Sequence, residues 1–399
     1  MVKILFIPFN LISHIGRCIT LAPRENFQIY FLISKEYINF VSAHGFKFET
    51  NELEDLSILN KAKSIGFSWM KKVEIIKNFQ YLVSKIQDIK PNIVISDSNI
   101  FASLACEYLK IPHISLMNTY MTRFFKDRYT DLTYLKIPVR LFLNLVLRLV
   151  SREKGIEIMR KGEDMFLRKF HSTFRQVREK YKLKRKQHLF EEFEGDMTFL
   201  LDPIDIFPVE INPEIRVVGP TYYYSEEKKY ESIKFSKDKP NILITLGSSG
   251  DIRKFLFIEK LNLSKFYNVI LLGESSFPLK IDGAQRVKFA NISQIAEFID
   301  VVICHGGNGT VYSFLSKGVP SIMIPGHIEQ YWFSHQIHKH KLGVLCTEKN
   351  KKIIIEIIQN LIEERRRGFL EKKSELFKIE RSIENFRRYI YDFILSYKS

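Results

Sequence analysis

Apolar residues along the chain fall into two rhythms. Short, continuous apolar runs occur at 2–9 (VKILFIPF), 28–33, 92–96 and 113–116. They are too short for helices and have the uninterrupted character of strands buried on both faces. Between them apolar residues recur at helical spacing, most extensively over 69–89. The rhythm repeats from 241 to 346, where the runs NILITL, NVILL, RVKFA, VVICH, SIMIP and GVLC alternate with helical or turn-like segments. Strands alternating with helices predict parallel sheets of the doubly wound α/β kind.

Length adds a domain count. The chain has 399 residues, too many for one ordinary core, so two domains are expected. Residues 219–240 are polar and charged and read as an interdomain linker. This gives an N-terminal domain at 1–218, a C-terminal domain at 241–375 and a last helical segment at 376–399 expected to pack back on the first. Apolar residues make up 45% and charged residues 27%, as in soluble globular proteins. Four cysteines, Cys18, Cys106, Cys304 and Cys346, lie far apart without a CxxC spacing and read as reduced core residues of a cytosolic protein. No apolar run reaches the ~18 residues of a membrane-spanning helix. The opening MVKILFIPFNLISHIG has a lysine before an apolar run but no small-x-small cleavage site, and reads as a first buried strand.

Charge is uneven. The formal net charge is +16, and residues 134–190 hold 16 Lys/Arg against 5 Asp/Glu. The same segment contains IPVRLFLNLVLRLV at 137–150. A basic, leucine-rich stretch fits an interfacial helix on an anionic membrane; a core helix with basic flanks fits it equally. No helix-turn-helix, finger or RNP motif accompanies the charge, so a nucleic-acid partner is not expected.

The most specific local pattern is VVICHGGNGTVYSFLSKGVPSIMIP, 301–325. An apolar strand runs directly into His305, Gly306, Gly307, Asn308, Gly309 and Thr310, and a helix follows. A turn that opens a helix offers unpaired backbone N–H groups and the positive end of the helix dipole. With glycines allowing close approach, this makes an anion site, most often for phosphate. Tight helix–sheet packing is the bland alternative for the glycines. Neither the Rossmann nor the P-loop spacing is present.

HGGNGTVYSFLSKGVPSIMIPGHIEQ resembles the donor-binding motif of family 1 UDP-dependent glycosyltransferases, the group with the macrolide glycosyltransferases. The matching positions include His305, Gly306, Gly307, Gly309, Thr310, Gly318, Pro320, Glu329 and Gln330. KPNILITLGSS resembles the first donor-domain strand, with Gly247, Ser248 and Ser249 at a phosphate-facing turn, and EIRVVGPTYY the close of the acceptor domain. FANISQIAEFIDVVICHGG resembles the segment whose loop, here Asn291 and Ile292, reads the base. The resemblance implies a GT-B fold: two doubly wound domains facing a central cleft, acceptor-binding at 1–218 and donor-binding at 241–375. Glu329 and Gln330 are expected at the donor sugar. Three positions depart from the family pattern: Ser313 replaces the ribose-binding acid, Asn291–Ile292 replaces a Pro-Gln or Pro-His pair, and Phe333 replaces an asparagine. They bear on nucleotide and sugar, not on the diphosphate site.

Glycosyl transfer needs a base for the acceptor hydroxyl, and histidine suits that task near pH 7. His14 follows the first strand, where the family carries its catalytic histidine. Asp97 ends the strand of PNIVISDSNIF and matches the partner carboxylate, which would fix the tautomer of the ring. Taken alone, Asp97 also reads as a helix N-cap and His14 as a loop histidine. His335 and His338 have helical spacing, but no acid or cysteine completes a zinc set. No paired-carboxylate loop suggests a metal at the diphosphate, so neither cofactor nor metal is expected and the UDP-sugar is a co-substrate. The expectation is an inverting transferase acting from UDP-sugar on a small-molecule or lipid hydroxyl, cytoplasmic and peripheral to the membrane. A sugar-nucleotide epimerase of the same fold and a silent nucleotide-sugar-binding partner are the alternatives.

Overall fold

A computed structural model describes residues 1–51, 71–127, 150–210, 212–225, 233–247, 249–273 and 279–398. The chain forms two compact units, Met1–Val218 with Arg387–Ser399, and Gly219–Phe386. The second begins where the linker was expected and ends inside the last helix, eleven residues beyond the expected 375 boundary. The start of the expected linker is packed within its own unit: the Tyr222 hydroxyl donates to the Phe377 carbonyl at 3.2 Å and the Ser382 hydroxyl to the Pro220 carbonyl at 2.8 Å.

In the first unit the described strands are β1 (Val2–Pro8), β2 (Phe27–Ile33), β3 (Lys47–Thr50), β4 (Ile93–Asp97), β5 (His113–Met117), β6 (Met197–Leu200) and β7 (Ile215–Val217). They form one parallel sheet in the order β3-β2-β1-β4-β5-β6-β7. β4 and β5 are buried along their whole length, which is why they appear in the sequence as unbroken apolar runs. Helices α1 (Ile12–Leu21), α2 (Lys72–Ile89), α3 (Ala102–Leu109) and α4 (Arg152–Lys180) belong to this unit. α2 buries Ile75, Phe79, Leu82, Ile86 and Ile89, a single stripe at helical spacing. It stops because Lys90 turns left-handed, at φ 53°, ahead of Pro91. Residues 137–149 of the leucine-rich run lie outside the described residues, as do 69–70 of the expected long helix.

The second unit is a parallel sheet of β8 (Asn241–Thr245), β9 (Asn268–Leu272), β10 (Gln285–Val287), β11 (Val301–Cys304), β12 (Ser321–Met323) and β13 (Gly343–Leu345), ordered β10-β9-β8-β11-β12-β13. All six apolar runs of 241–346 are strands. Helices α5 (Asn308–Leu315), α6 (Ile328–Lys339) and α7 (Ile354–Arg366) belong to it. The last helix, α8 (Ile379–Lys398), begins in this unit and ends in the first. There Tyr391 tilts against Phe27 and Tyr389 lies edge-on to Phe199.

Each sheet reverses its winding at one point: between β1 and β4 in the first unit, and between β8 and β11 in the second. The carboxyl ends of strands flanking such a point diverge into loops that leave room for a ligand. Among the described residues no helix is long and apolar enough to cross a membrane.

Candidate active site

Pro8 of β1 pairs in register with Asp97 of β4, so the first switch point brings together the residues that follow β1 and the residue that ends β4. His14 projects from the first turn of α1, and its Nδ1 lies 3.0 Å from Asp97 Oδ1. The His14 side chain is 20% exposed, while Asp97 is fully buried. A half-buried imidazole backed by a buried carboxylate has the geometry of a base with its orienting partner.

Asp97 has a second partner that the sequence did not reveal. Arg17, one turn along α1, is buried among Ile15, Cys18 and Ile19. Its Nε donates to Asp97 Oδ2 at 2.5 Å, its Nη2 donates to Oδ1, and its Nη1 donates to Asn118 Oδ1 at 3.0 Å. Nη2 is also 3.0 Å from His14 Nδ1. Burial alone would raise the Asp97 carboxyl, but the Arg17 guanidinium and His14 hold it well below the usual carboxylate range. Burial alone would lower Arg17; Asp97 more than offsets this and raises it above its ordinary value. The Cys18 thiol, 3.7 Å from Asp97 Oδ2, is pushed well up by burial and by that carboxylate, and so stays neutral. The one available signal for Arg17 was an arginine within the apolar face of a short helix.

At the second switch point Cys304 of β11 pairs with Thr245 of β8. His305, buried, leaves β11 and turns its ring between two glycines. A Cβ on Gly247 would meet His305 Cε1 at 2.2 Å, and one on Gly307 would meet His305 Nε2 at 2.3 Å. Gly306 has φ +78°, and a Cβ there would meet the Ser334 hydroxyl at 2.2 Å. Gly309 differs: nothing lies within 4 Å of where its Cβ would be. The glycines therefore divide. Gly247, Gly306 and Gly307 make room for protein atoms, and Gly309 leaves an open face on the first turn of α5. Gly307 caps α5 without a side-chain bond, and Gly309 N–H donates to Asn308 Oδ1 at 2.7 Å. Asn308 and Thr310 are half-buried beside it.

Other expected donor residues are spread around this turn. Gln330 is 1% exposed. Its Oε1 accepts from Gly326 N–H at 2.8 Å and its Nε2 donates to Ser249 Oγ at 3.0 Å, tying the loops after β12 and β8 together. Glu329 is half-buried, with Oε2 3.8 Å from His327 Nδ1. Asn291 is buried and donates to the Ser225 carbonyl at 2.9 Å; Ile292 is half-buried. Ser248 lies outside the described residues. Two of the positions that depart from the family pattern are turned inward. Ser313 donates to the Gly309 carbonyl at 2.9 Å, inside its own helix, and Phe333 is fully buried, edge-on to Tyr312. Among the described residues no group of three or more His, Cys, Asp or Glu is arranged to hold a metal ion.

Residues 255–386 match the glycosyltransferase family 28 C-terminal domain. An uncharacterized glycosyltransferase of Methanosarcina acetivorans is 26% identical over 299 residues, 71% of this chain and 68% of that protein. A Staphylococcus epidermidis UDP-N-acetylglucosamine--N-acetylmuramyl-(pentapeptide) pyrophosphoryl-undecaprenol N-acetylglucosamine transferase is 24% identical over 160 residues, 38% of this chain and 43% of that one. Among solved structures, the calicheamicin glycosyltransferase CalG4 superposes with a TM-score of 0.64 at 15% identity, covering 98% of this chain and 99% of its own. The spinosyn rhamnosyltransferase SpnG complexed with thymidine diphosphate gives 0.62 at 11% identity, covering 94% and 96%. The fold is GT-B. The chain is a glycosyltransferase, and the family 28 match falls within its second unit.

Proposed function

We propose that the chain is an inverting glycosyltransferase that moves a sugar from a nucleotide-diphosphate sugar to an acceptor hydroxyl by single displacement. The observation that carries this reading is the His14–Asp97 pair at the first switch point. With Nδ1–H donating to the carboxylate, Nε2 is the acceptor that takes the hydroxyl proton. The leaving diphosphate is held by the turn after β11. The amides at the start of α5, the helix dipole and the open face at Gly309 suit an anion there, with Gly247, Ser249 and His305 shaping the neighbouring loop. Ile292 meets the base and Glu329 the sugar, while Asn291 and Gln330, buried and bonded to Ser225 and to Gly326 and Ser249, hold those loops in place. No metal is needed for these roles.

UDP is the expected nucleotide, by resemblance to the UDP-dependent family and by the name of the staphylococcal relative; the thymidine diphosphate bound to SpnG makes TDP the competitor to test. The same relative's name, a transferase to a pyrophosphoryl-undecaprenol, favours a lipid or lipid-linked acceptor over a soluble small molecule. That acceptor would be met at the cytoplasmic face of an anionic membrane, through the basic segment 134–190. The relatives and structural neighbours named above are transferases, which favours transfer over epimerisation.

The test is release of UDP or TDP from their sugars with and without lipid and soluble acceptor extracts, with and without EDTA. Acceptor-dependent release that EDTA leaves intact, and that falls ~10²- to 10⁴-fold in His14→Ala, is the expected result. Acceptor-independent conversion of the sugar would point to epimerisation, and EDTA-sensitive release would overturn metal independence.

A further inference from the structure

Arg17 stands out in the first unit because it is a fully buried cation placed against a base and its orienting acid. The groups that face His14 and Asp97 can be counted. From α1 come Arg17 and the neutral Cys18 thiol. From the end of β4 the Ser98 hydroxyl donates to Asp97 Oδ1 at 3.1 Å. From the loop after β1, the Phe9 ring centroid lies 5.6 Å from that of His14. Beyond β5, Asn118 accepts from Arg17 and donates to Asp202 at 3.2 Å, and the buried Tyr120 lies within electrostatic reach of Arg17. Arg17 is thus the only positive side chain, among the described residues, in hydrogen-bond contact with Asp97 apart from a protonated His14.

Buried sites favour a zero charge sum. Asp97 with Arg17 sums to zero when His14 is neutral. Asp97 without Arg17 reaches zero only when His14 holds a second proton. We propose that Arg17 is a positioning residue that neutralises Asp97, so that the resting site draws no proton onto His14 and Nε2 stays free to act as base. This rests on the reading of His14 as the base. In the transfer step the acceptor hydroxyl proton passes to Nε2. The oxygen's electron pair forms the bond to the anomeric carbon, and the diphosphate leaves with the pair of the broken C–O bond. The imidazolium then shares Asp97 with the guanidinium until its proton is released to solvent.

The experiment compares wild type with Arg17→Met, Arg17→Gln, Arg17→Lys and His14→Gln in full-length chain, folding being checked by circular dichroism. In Arg17→Met the acid limb of the turnover–pH profile should move up by about 1–3 pH units, the usual effect of a neighbouring charge. Activity should recover at high pH and donor KM should hardly change. Arg17→Gln keeps a donor to Asp97 without charge and should behave alike, which covers a Met variant that fails to fold. Arg17→Lys should keep the wild-type limb. The His14 ring resonance, assigned as the one missing in His14→Gln, should titrate higher in the uncharged variants without any substrate. An unmoved limb and an unmoved resonance in both, with His14→Gln inactive, would overturn the proposal alone. Near-wild-type turnover in His14→Gln would overturn it together with the base reading.

Discussion

The imidazole of His305 occupies the space that any side chain on Gly307 would need: a Cβ built there lies 2.3 Å from Nε2. Gly307 has an ordinary φ of −73°, so it is the ring and not the backbone conformation that demands glycine. Gly307→Ala should therefore swing His305 out of its slot and weaken nucleotide-diphosphate binding at least tenfold by calorimetry. Unchanged affinity would show that His305 has no part in holding the donor.

Gly309 offers the opposite case. Alanine there meets no atom within 4 Å and sits in the first turn of α5, so Gly309→Ala should leave the unfolding free energy unchanged or raise it by up to the ~1 kcal/mol of helix propensity, read as an unchanged or higher thermal midpoint. If the diphosphate sits on that open face, binding should still fall. A variant that is both as stable and as tight as wild type would move the diphosphate elsewhere.

How much of this was legible in the sequence follows from burial. Most strands covered on both faces announced themselves as apolar runs, although β6 (MTFL), largely buried, was not read as a strand because its run is only four residues long. β3 did not: KFET alternates exposed and half-buried positions at the sheet edge, and four residues of that kind look like a loop. His14 and Asp97 were legible because strand ends and family resemblance both pointed to them. Arg17 was not, since a lone arginine in a helix reads as a solvated residue until the fold brings Asp97 to it. The glycine turn was read as room for a ligand, and what the sequence did not show is that Gly247 and Gly307 also make room for the His305 ring and Gly306 for Ser334. Such packing joins residues distant in sequence and leaves no local pattern.

His113 gives unit 1 an early acid sensitivity. It is buried in β5 with Nε2 2.8 Å from Ser96 Oγ. Burial, with the Lys186 charge adding to it, pushes its pKa from 6.5 down to about 3. Between those values the unfolded chain binds a proton that the folded chain refuses, so stability falls as pH falls through the window. From pH 7 to pH 5 the loss is about 2 kcal/mol. His113→Gln should flatten it: the drop in thermal midpoint between pH 7 and pH 5 should be smaller than in wild type. Equal drops would refute the assignment.

Membrane attachment is tested by flotation. Each Lys or Arg near an anionic surface contributes about 1 kcal/mol, screened over ~8 Å at physiological salt. Binding to phosphatidylglycerol vesicles, absent with phosphatidylcholine and lost in high salt, should disappear when Arg140, Arg148 and Arg152 become glutamate. Protein left in the soluble fraction at low salt would assign the basic segment to solubility.

Asp97→Asn separates structure from catalysis at the base. If Asp97 only oriented His14, its loss would lower turnover less than His14→Ala and leave the fold alone. The structure gives a different order. Asp97 is the carboxylate bonded to Arg17, and a guanidinium cannot shed its charge. Asp202 stands one residue further off, through Asn118. Asp97→Asn should therefore strand a buried cation and cost about 3–5 kcal/mol. Arg17→Met strands an anion instead, but His14 can take up a proton and neutralise it, so that variant should be the more stable of the two. Removing both charges in Asp97→Asn with Arg17→Met should recover most of the stability, because a buried pair and its apolar replacement are often close in energy, while turnover stays low. Thermal unfolding and turnover of the three variants decide the matter. Asp97→Asn with wild-type stability would mean that the ion pair does not hold the fold.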